Sequence, residues 1–166
     1  MAIMRYISNT FPIEDHWYPK DPLAQAKVDE YLHWQHVNTR LQCAMYFRTK
    51  WLVPTMTQEL PNEKRVKNFQ KGMEKALKEI EEIWLENGQR KYVGGDKISV
   101  ADIIALCELE QPSMAGYDVK KDRPVLAEYM ERVKAELQPH YDEAHKIVYQ
   151  MRNKFGGKIP GLEAKL

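Results

Sequence analysis

Twelve residues in the second half of the chain, Tyr92-Val93-Gly94-Gly95-Asp96-Lys97-Ile98-Ser99-Val100-Ala101-Asp102-Ile103, constrain the fold more than any other stretch. Ser99 and Asp102 are spaced for a reciprocal capping box. The serine hydroxyl accepts from the Asp102 amide, and the Asp102 carboxylate reaches back to the Ser99 amide. Asp stands where Glu or Gln is commoner. Ile98 and Ile103, at N′ and N4, add a hydrophobic staple. The helix that follows is apolar nearly all round (Val100, Ala101, Ile103, Ile104, Ala105, Leu106, Cys107, Leu109). Such a helix belongs at the centre of a bundle, with other elements arranged around it. Gly94-Gly95 lacks the spaced glycines and the Lys-Ser/Thr pair of a phosphate loop, and no strand precedes it, so it reads as a turn.

The rest of the chain is helical in period, and no segment of useful length alternates as a strand would. A short helix covers Ala2 to Ile7. A turn-rich connector follows from Thr10 to Asp21, with Pro12, Pro19 and the pair Trp17-Tyr18. Asp21-Pro22 offers an N-cap carboxylate and a proline at the first helical position. The helix it opens is expected to run to about Leu52, where Pro54 stops it. At 100° per residue, Val28, Tyr31, Trp34, Leu41, Met45 and Leu52 form a core-facing stripe roughly 140° wide. A second face carries His33, Val37, Arg40, Ala44 and Trp51, a mixture that suits the border of a cleft and a partly buried surface equally well. The next helix, about Pro61 to Asn87, buries Val66, Phe69, Met73, Leu77, Ile80 and Trp84 and ends on Gly88 as a C′ glycine. Its outer run of Glu74, Lys75, Lys78, Glu79, Glu81 and Glu82 reads as a solvated face. Two further helices open near Arg123-Pro124 and after Pro139, and the segment from Phe155 to Leu166 reads as loosely held. The expectation is an all-α bundle of about five main helices in a single domain.

Composition removes several classes of function. Twenty-five Lys+Arg against twenty-four Asp+Glu leave a net charge of +1, which gives no footprint for nucleic acid or an anionic membrane. No apolar run is long enough to span a bilayer. Two cysteines, Cys43 and Cys107, cannot frame a disulfide scaffold and fit a reducing compartment. Both lie mid-helix in apolar company and read as buried thiols rather than nucleophiles. His33 and His36 share a helix face with Cys43 two turns on, but a closed zinc site needs four ligands and no carboxylate completes this one, so no metal is expected. Arg40 stands out in mid-helix beside Val37, Leu41 and Ala44. On local grounds it is either a snorkelling surface residue or an anion-binding fork, the surface reading being the commoner.

The order of these features resembles a known family. Trp17-Tyr18-Pro19, then Val28-Asp29-Glu30-Tyr31-Leu32-His33-Trp34-Gln35-His36, then Arg40, is similar to the start of the C-terminal helical domain of theta-class glutathione transferases, insect ones especially. Ser99-Val100-Ala101-Asp102 after a Gly-rich turn matches the capping box found across that superfamily, and Ala2-Ile3-Met4-Arg5-Tyr6-Ile7 resembles the last helix of the preceding thioredoxin-like domain. The resemblance implies a division into residues 1–9, that last helix; 10–21, an interdomain linker; 22–155, the helical domain; and 156–166, a flexible tail. It further implies that Arg40 borders the thiol site, with Val37, Leu41 and Ala44 lining the electrophile pocket, while Ser99 and Asp102 are structural. Glutathione would be a co-substrate rather than a cofactor, a hydrophobic electrophile its partner, and a homodimer the assembly.

In that family the activating serine and the glutathione cradle belong to the thioredoxin-like domain, and this chain begins where that domain's Glu-Ser pair should have ended. The 166-residue polypeptide is therefore expected to be inactive alone and to expose an apolar patch around Ile3, Ile7 and the adjoining helix. A non-catalytic interaction module is the alternative, since similar domains recur as scaffolds in translation factors; a small-molecule carrier using the pocket near Arg40 is a third reading. The cytoplasm is the expected compartment, although Ala164-Lys165-Leu166 resembles the peroxisomal Ser-Lys-Leu address.

Overall fold

The structure, a computed structural model, describes residues 1–162. Among the described residues seven helices, short 3-10 turns aside, make up the architecture, and the sole β-bridge joins Tyr92 to Gly95. They are α1 (Ala2–Thr10), α2 (residues 22–57), α3 (residues 63–84), α4 (Val100–Glu110), α5 (Pro124–Glu136), α6 (His140–Ala144) and α7 (Lys146–Phe155). The fold is all-α, as the periodicity requires, but the helix expected after Pro139 is broken at His145 into α6 and α7.

Asp21 caps α2, its Oδ1 accepting from Ala24 N at 2.9 Å, and Asn62 caps α3 by accepting from Arg65 N at 3.0 Å. The stop expected at Pro54 does not occur. A π turn at Arg48–Leu52 widens the helix just ahead of the proline. This relieves the clash between its ring and the carbonyl of the preceding turn. The rod then continues to Thr57, where Gln58 in the left-handed region ends it. A second π turn, His36–Arg40, lies at mid-rod. Nor does α3 end on Gly88. Its last turn is the π turn Ile80–Trp84, after which Glu86 and Asn87 already have positive φ, so the reversal starts two residues before the glycine.

Helix α4 sits at the centre, between α2 and α5. Its start forms as a reciprocal capping box. Ser99 Oγ accepts from Ala101 N at 3.2 Å, and Asp102 Oδ2 accepts from Ser99 N at 2.8 Å. The other carboxylate oxygen has longer reach: Asp102 Oδ1 accepts from Val93 N at 3.0 Å and from the Tyr129 hydroxyl at 2.9 Å. One side chain thus joins the turn before α4, the helix itself and α5. Helix α4 is not buried all round, however. Ile103 and Ile104 are only half-buried, and Cys107 is exposed.

The N-terminal helix is held at a single polar junction. Arg5 donates to Asp29 Oδ1 at 2.7 Å, and the Tyr18 hydroxyl donates to the same carboxylate at 3.1 Å. Ile3, Tyr6, Ile7 and Phe11 remain exposed. At the other end, residues 156–162 depart from the expected loose tail. Ile159 and Leu162 are buried in the core, and Trp51 Nε1 donates to Lys158 O at 2.9 Å. The predicted tripeptide Ala164-Lys165-Leu166 lies outside the described residues.

Candidate functional site

Val37, Arg40, Leu41 and Ala44 are brought together by α2 alone, since steps of three and four residues line up on one helical face. That face points away from the buried stripe of α2. Val37 is 65 % exposed and Leu41 42 %, with Ala44 half-buried. From its second π turn onwards α2 buries Trp51 and Pro54. Ahead of that turn the buried side chains are Val28, Tyr31, Leu32, Gln35, Thr39, Cys43 and Tyr46. Their stripe is rotated by roughly 70° from the apolar one at 100° per residue. Leu41 therefore belongs with Arg40 on the open face and not in the core.

The π turn at His36–Arg40 carries the arginine, its amide donating to Gln35 O at 2.9 Å in an i→i+5 bond. Arg40 Nε lies 3.8 Å from Glu108 Oε1 of α4, the arginine side chain being 57 % exposed and the glutamate 16 %. At that separation and exposure the pair contributes at most about 1 kcal/mol. Its effect is on charge placement. Burial pushes the Glu108 carboxyl up, and the guanidinium opposes that rise. Because Glu108 approaches the Nε side, the terminal nitrogens of Arg40 are left to meet an anion as a planar fork. The sequence reading passed over Glu108, although an acidic residue inside an otherwise apolar helix is the signal that finds it.

The remaining candidates fall elsewhere. Burial pushes up the Cys43 thiol. Cys107, expected to be buried, is an exposed residue, but the desolvation its surroundings impose still pushes its thiol up. Glu108 adds to both shifts, the reverse of what an activated nucleophile needs. His33 is exposed, its Nδ1 held 2.6 Å from Asp29 O, and His36 is exposed. Among the described residues no group of three or more His, Cys, Asp or Glu is placed to hold a metal ion, and no described helix is long and apolar enough to cross a membrane. A cleft of about 630 Å³ opens between the connector and the turn before α4, where His16, Pro19, Val28, Gly94 and Ser99 meet. None of the four predicted site residues lines it. Both ring nitrogens of His16, one of its lining residues, face acceptors, Nδ1 at 2.7 Å from Ile98 O and Nε2 at 2.8 Å from Glu14 Oε2.

Comparison with known proteins agrees with this architecture. Residues 44–136 match the family described as "Glutathione S-transferase, C-terminal domain". Chicken glutathione S-transferase theta-1 is 34 % identical over 91 % of this chain, and mouse theta-3 is 34 % identical over all of it. A human theta-class transferase, solved with the glutathione conjugate of 1-menaphthyl sulfate, superposes with a TM-score of 0.84 at 34 % identity. That match takes in 92 % of this chain and 62 % of the human one. The chain spans 58 % of the length of the chicken protein and 68 % of that of the mouse protein. A central capped helix, the long rod α2 and these theta-class relatives lead to one assignment: the chain belongs to the glutathione S-transferase family, and the fold it adopts is that family's C-terminal helical domain.

Proposed function

We propose that this chain is the helical, electrophile-binding part of a theta-class glutathione transferase, which joins the glutathione thiolate to hydrophobic electrophiles. The single observation that carries the reading is the open face of α2. There an arginine whose terminal nitrogens have no partner among the described residues stands among Val37, Leu41 and Ala44. Attack by a thiolate develops and displaces negative charge, and a positioned guanidinium beside an apolar surface suits both that charge and a greasy partner. The human relative solved with an aromatic glutathione conjugate supports a hydrophobic electrophile. The relatives also support the transferase reading over that of a scaffold module.

Glutathione enters as co-substrate, and the reaction calls for no resident cofactor. The working assembly is a homodimer in the cytosol, with the terminal Ala164-Lys165-Leu166 to be checked by a reporter fused upstream of it. Arg40 cannot by itself position a tripeptide, so the 166 residues alone should give no turnover above background with millimolar glutathione and a panel of electrophiles. Joined behind the thioredoxin-like domain of a theta-class relative, they should restore conjugation. In that chimera Arg40→Ala should lower kcat/KM about tenfold or more, equivalent to losing ~1.4 kcal/mol of transition-state stabilisation. A folded chimera indifferent to Arg40→Ala, or a 166-residue chain that turns over unaided, would defeat the proposal.

A further inference from the structure

Stability does not account for Glu108 in the middle of α4. With Ile104 and Cys107 it lies at steps of three and four residues, so the three share one helical face. The Glu108 side chain is only 16 % exposed. A carboxylate withdrawn from water to that extent costs free energy that an apolar side chain would not. The pair with Arg40, at 3.8 Å and with the arginine largely in solvent, stabilises too little to explain the choice. Among the described residues neither member has another ion-pair partner. The field of Glu108 also reaches the Tyr31 hydroxyl and the thiols of Cys43 and Cys107, where it opposes ionisation. Those three groups stay neutral, which leaves the guanidinium as the charge that Glu108 balances.

A desolvated carboxylate that adds little to stability points to use in a site. We propose that Glu108 sets charge selectivity at the Arg40 face: its negative charge offsets that of the guanidinium, so that neutral apolar electrophiles are held as well as anionic ones. The proposal rests on the reading of that face as the electrophile site. An anion at the terminal nitrogens meets the guanidinium at hydrogen-bond distance, with Glu108 behind it on the Nε side. An anionic group already present on the electrophile therefore gains little beyond its own hydrogen bonds. Charge that develops on the departing group during attack is still met at contact distance, so the fork favours the transition state over a charged ground state.

Toluenesulfonate and toluenesulfonamide share a shape and differ in charge at neutral pH. Their binding to the whole chain can be followed by NMR at Arg40 Nε–H and at the Ala44 methyl. The wild type should bind the two with similar affinity. Glu108→Gln keeps the size and removes the charge. It should tighten the sulfonate about fivefold and leave the sulfonamide unmoved, with the gain fading as salt is raised. Glu108→Asp, which retains the charge, should behave as the wild type. Should the glutamine variant fail to fold, Arg40→Gln on the open face supplies the converse, a weaker sulfonate and an unchanged sulfonamide. A sulfonate affinity indifferent to these changes, a sulfonamide that shifts equally, or no response at Arg40 and Ala44 to either probe overturns the assignment. None of these readouts needs turnover. A conjugating chimera beside an indifferent Glu108→Gln removes the Glu108 assignment alone, whereas an inert chimera beside a responsive one removes only the transferase reading.

Discussion

Asp102 is pulled in opposite directions by its surroundings. Burial raises its pKa, while Val93 N, Ser99 N, the Tyr129 hydroxyl and the Ser99 hydroxyl favour the carboxylate, and the balance leaves it pushed up to about 6. An unfolded aspartate titrates near ~3.9, so the folded chain holds this proton the more tightly. The stabilisation from that proton is complete below about pH 4, falls as pH rises towards about 6, and is gone above it. Asp102→Asn cannot titrate. Melts of both proteins from about pH 4 to 7 should therefore show the wild type's advantage shrinking as pH rises; parallel curves would mean that the carboxylate ionises as freely folded as unfolded. Asp102→Ala strands four buried donors at once and should destabilise by about 3 kcal/mol or more. The Ser99–Asp102 half of this arrangement could be read from a three-residue spacing. The Val93 and Tyr129 contacts could not, because they come from 9 and 27 residues away and no local rule announces them. Arg40 was legible as an oddity, whereas its partner Glu108 was lost among apolar neighbours.

Helices were easier to locate than to orient. The apolar residues of α2 pointed to one stripe, and the molecule buries another, because Gln35 and Thr39 occupy core positions where polarity argued for solvent. Two π turns then slow the rotation of the rod, so a fixed 100° step drifts out of phase along it. The charged run on α3 misled in the same way. Glu81 Oε1 accepts from Leu126 N at 3.1 Å and so caps α5, whose own N-cap, Arg123, makes no side-chain cap bond. Glu74 accepts from Gln70 at 2.8 Å and from the Tyr117 hydroxyl at 3.2 Å. Where α2 crosses α3, Gly72 makes room for Gln42; a Cβ there would meet Gln42 Oε1 at 2.2 Å. Glycine inside a helix sacrifices about 1 kcal/mol relative to alanine. Gly72→Ala alone should thus be neutral or destabilising by up to about 1 kcal/mol, as the amide is displaced. In a Gln42→Ala background the same change should stabilise by about 1 kcal/mol. Denaturant titrations of the four proteins provide the test, and equal effects in both backgrounds would show that Gln42 does not set the spacing.

The two ends of the molecule behave differently, and only one was foreseen. At the N-terminal end Ile3, Tyr6 and Ile7 on α1, with Phe11 just past it, are exposed, and Ile3 and Ile7 belong to the expected patch. Sedimentation should show self-association that grows with concentration and is relieved by Ile3→Glu, whereas a clean monomer throughout would show the face to be harmless. At the C-terminal end glycine-rich composition suggested slack, but composition is silent on docking. Gly116 and Gly157 are what allow the strap to lie close: a Cβ on Gly157 would sit 2.7 Å from Ala115 O. Beyond them Lys158 O receives the Trp51 indole, Pro160 O receives Gln58 Nε2 at 3.1 Å, and Ile159 and Leu162 seal the far end of α2. Phe155 adds its ring at 5.6 Å from that of Trp51. If this strap is part of the core, Leu162→Ala should destabilise by about 3 kcal/mol, as for other buried leucines, which lowers Tm by roughly 6–12 °C in a domain of this size. Trp51 should report the change. Its emission, isolated by comparison with Trp51→Phe, should shift to the red when the chain is cut after Phe155, because the indole loses both its acceptor and its cover. A strap that merely rests on the surface predicts the opposite pair of results, an unmoved Tm for Leu162→Ala and an unmoved Trp51 spectrum for the shortened chain.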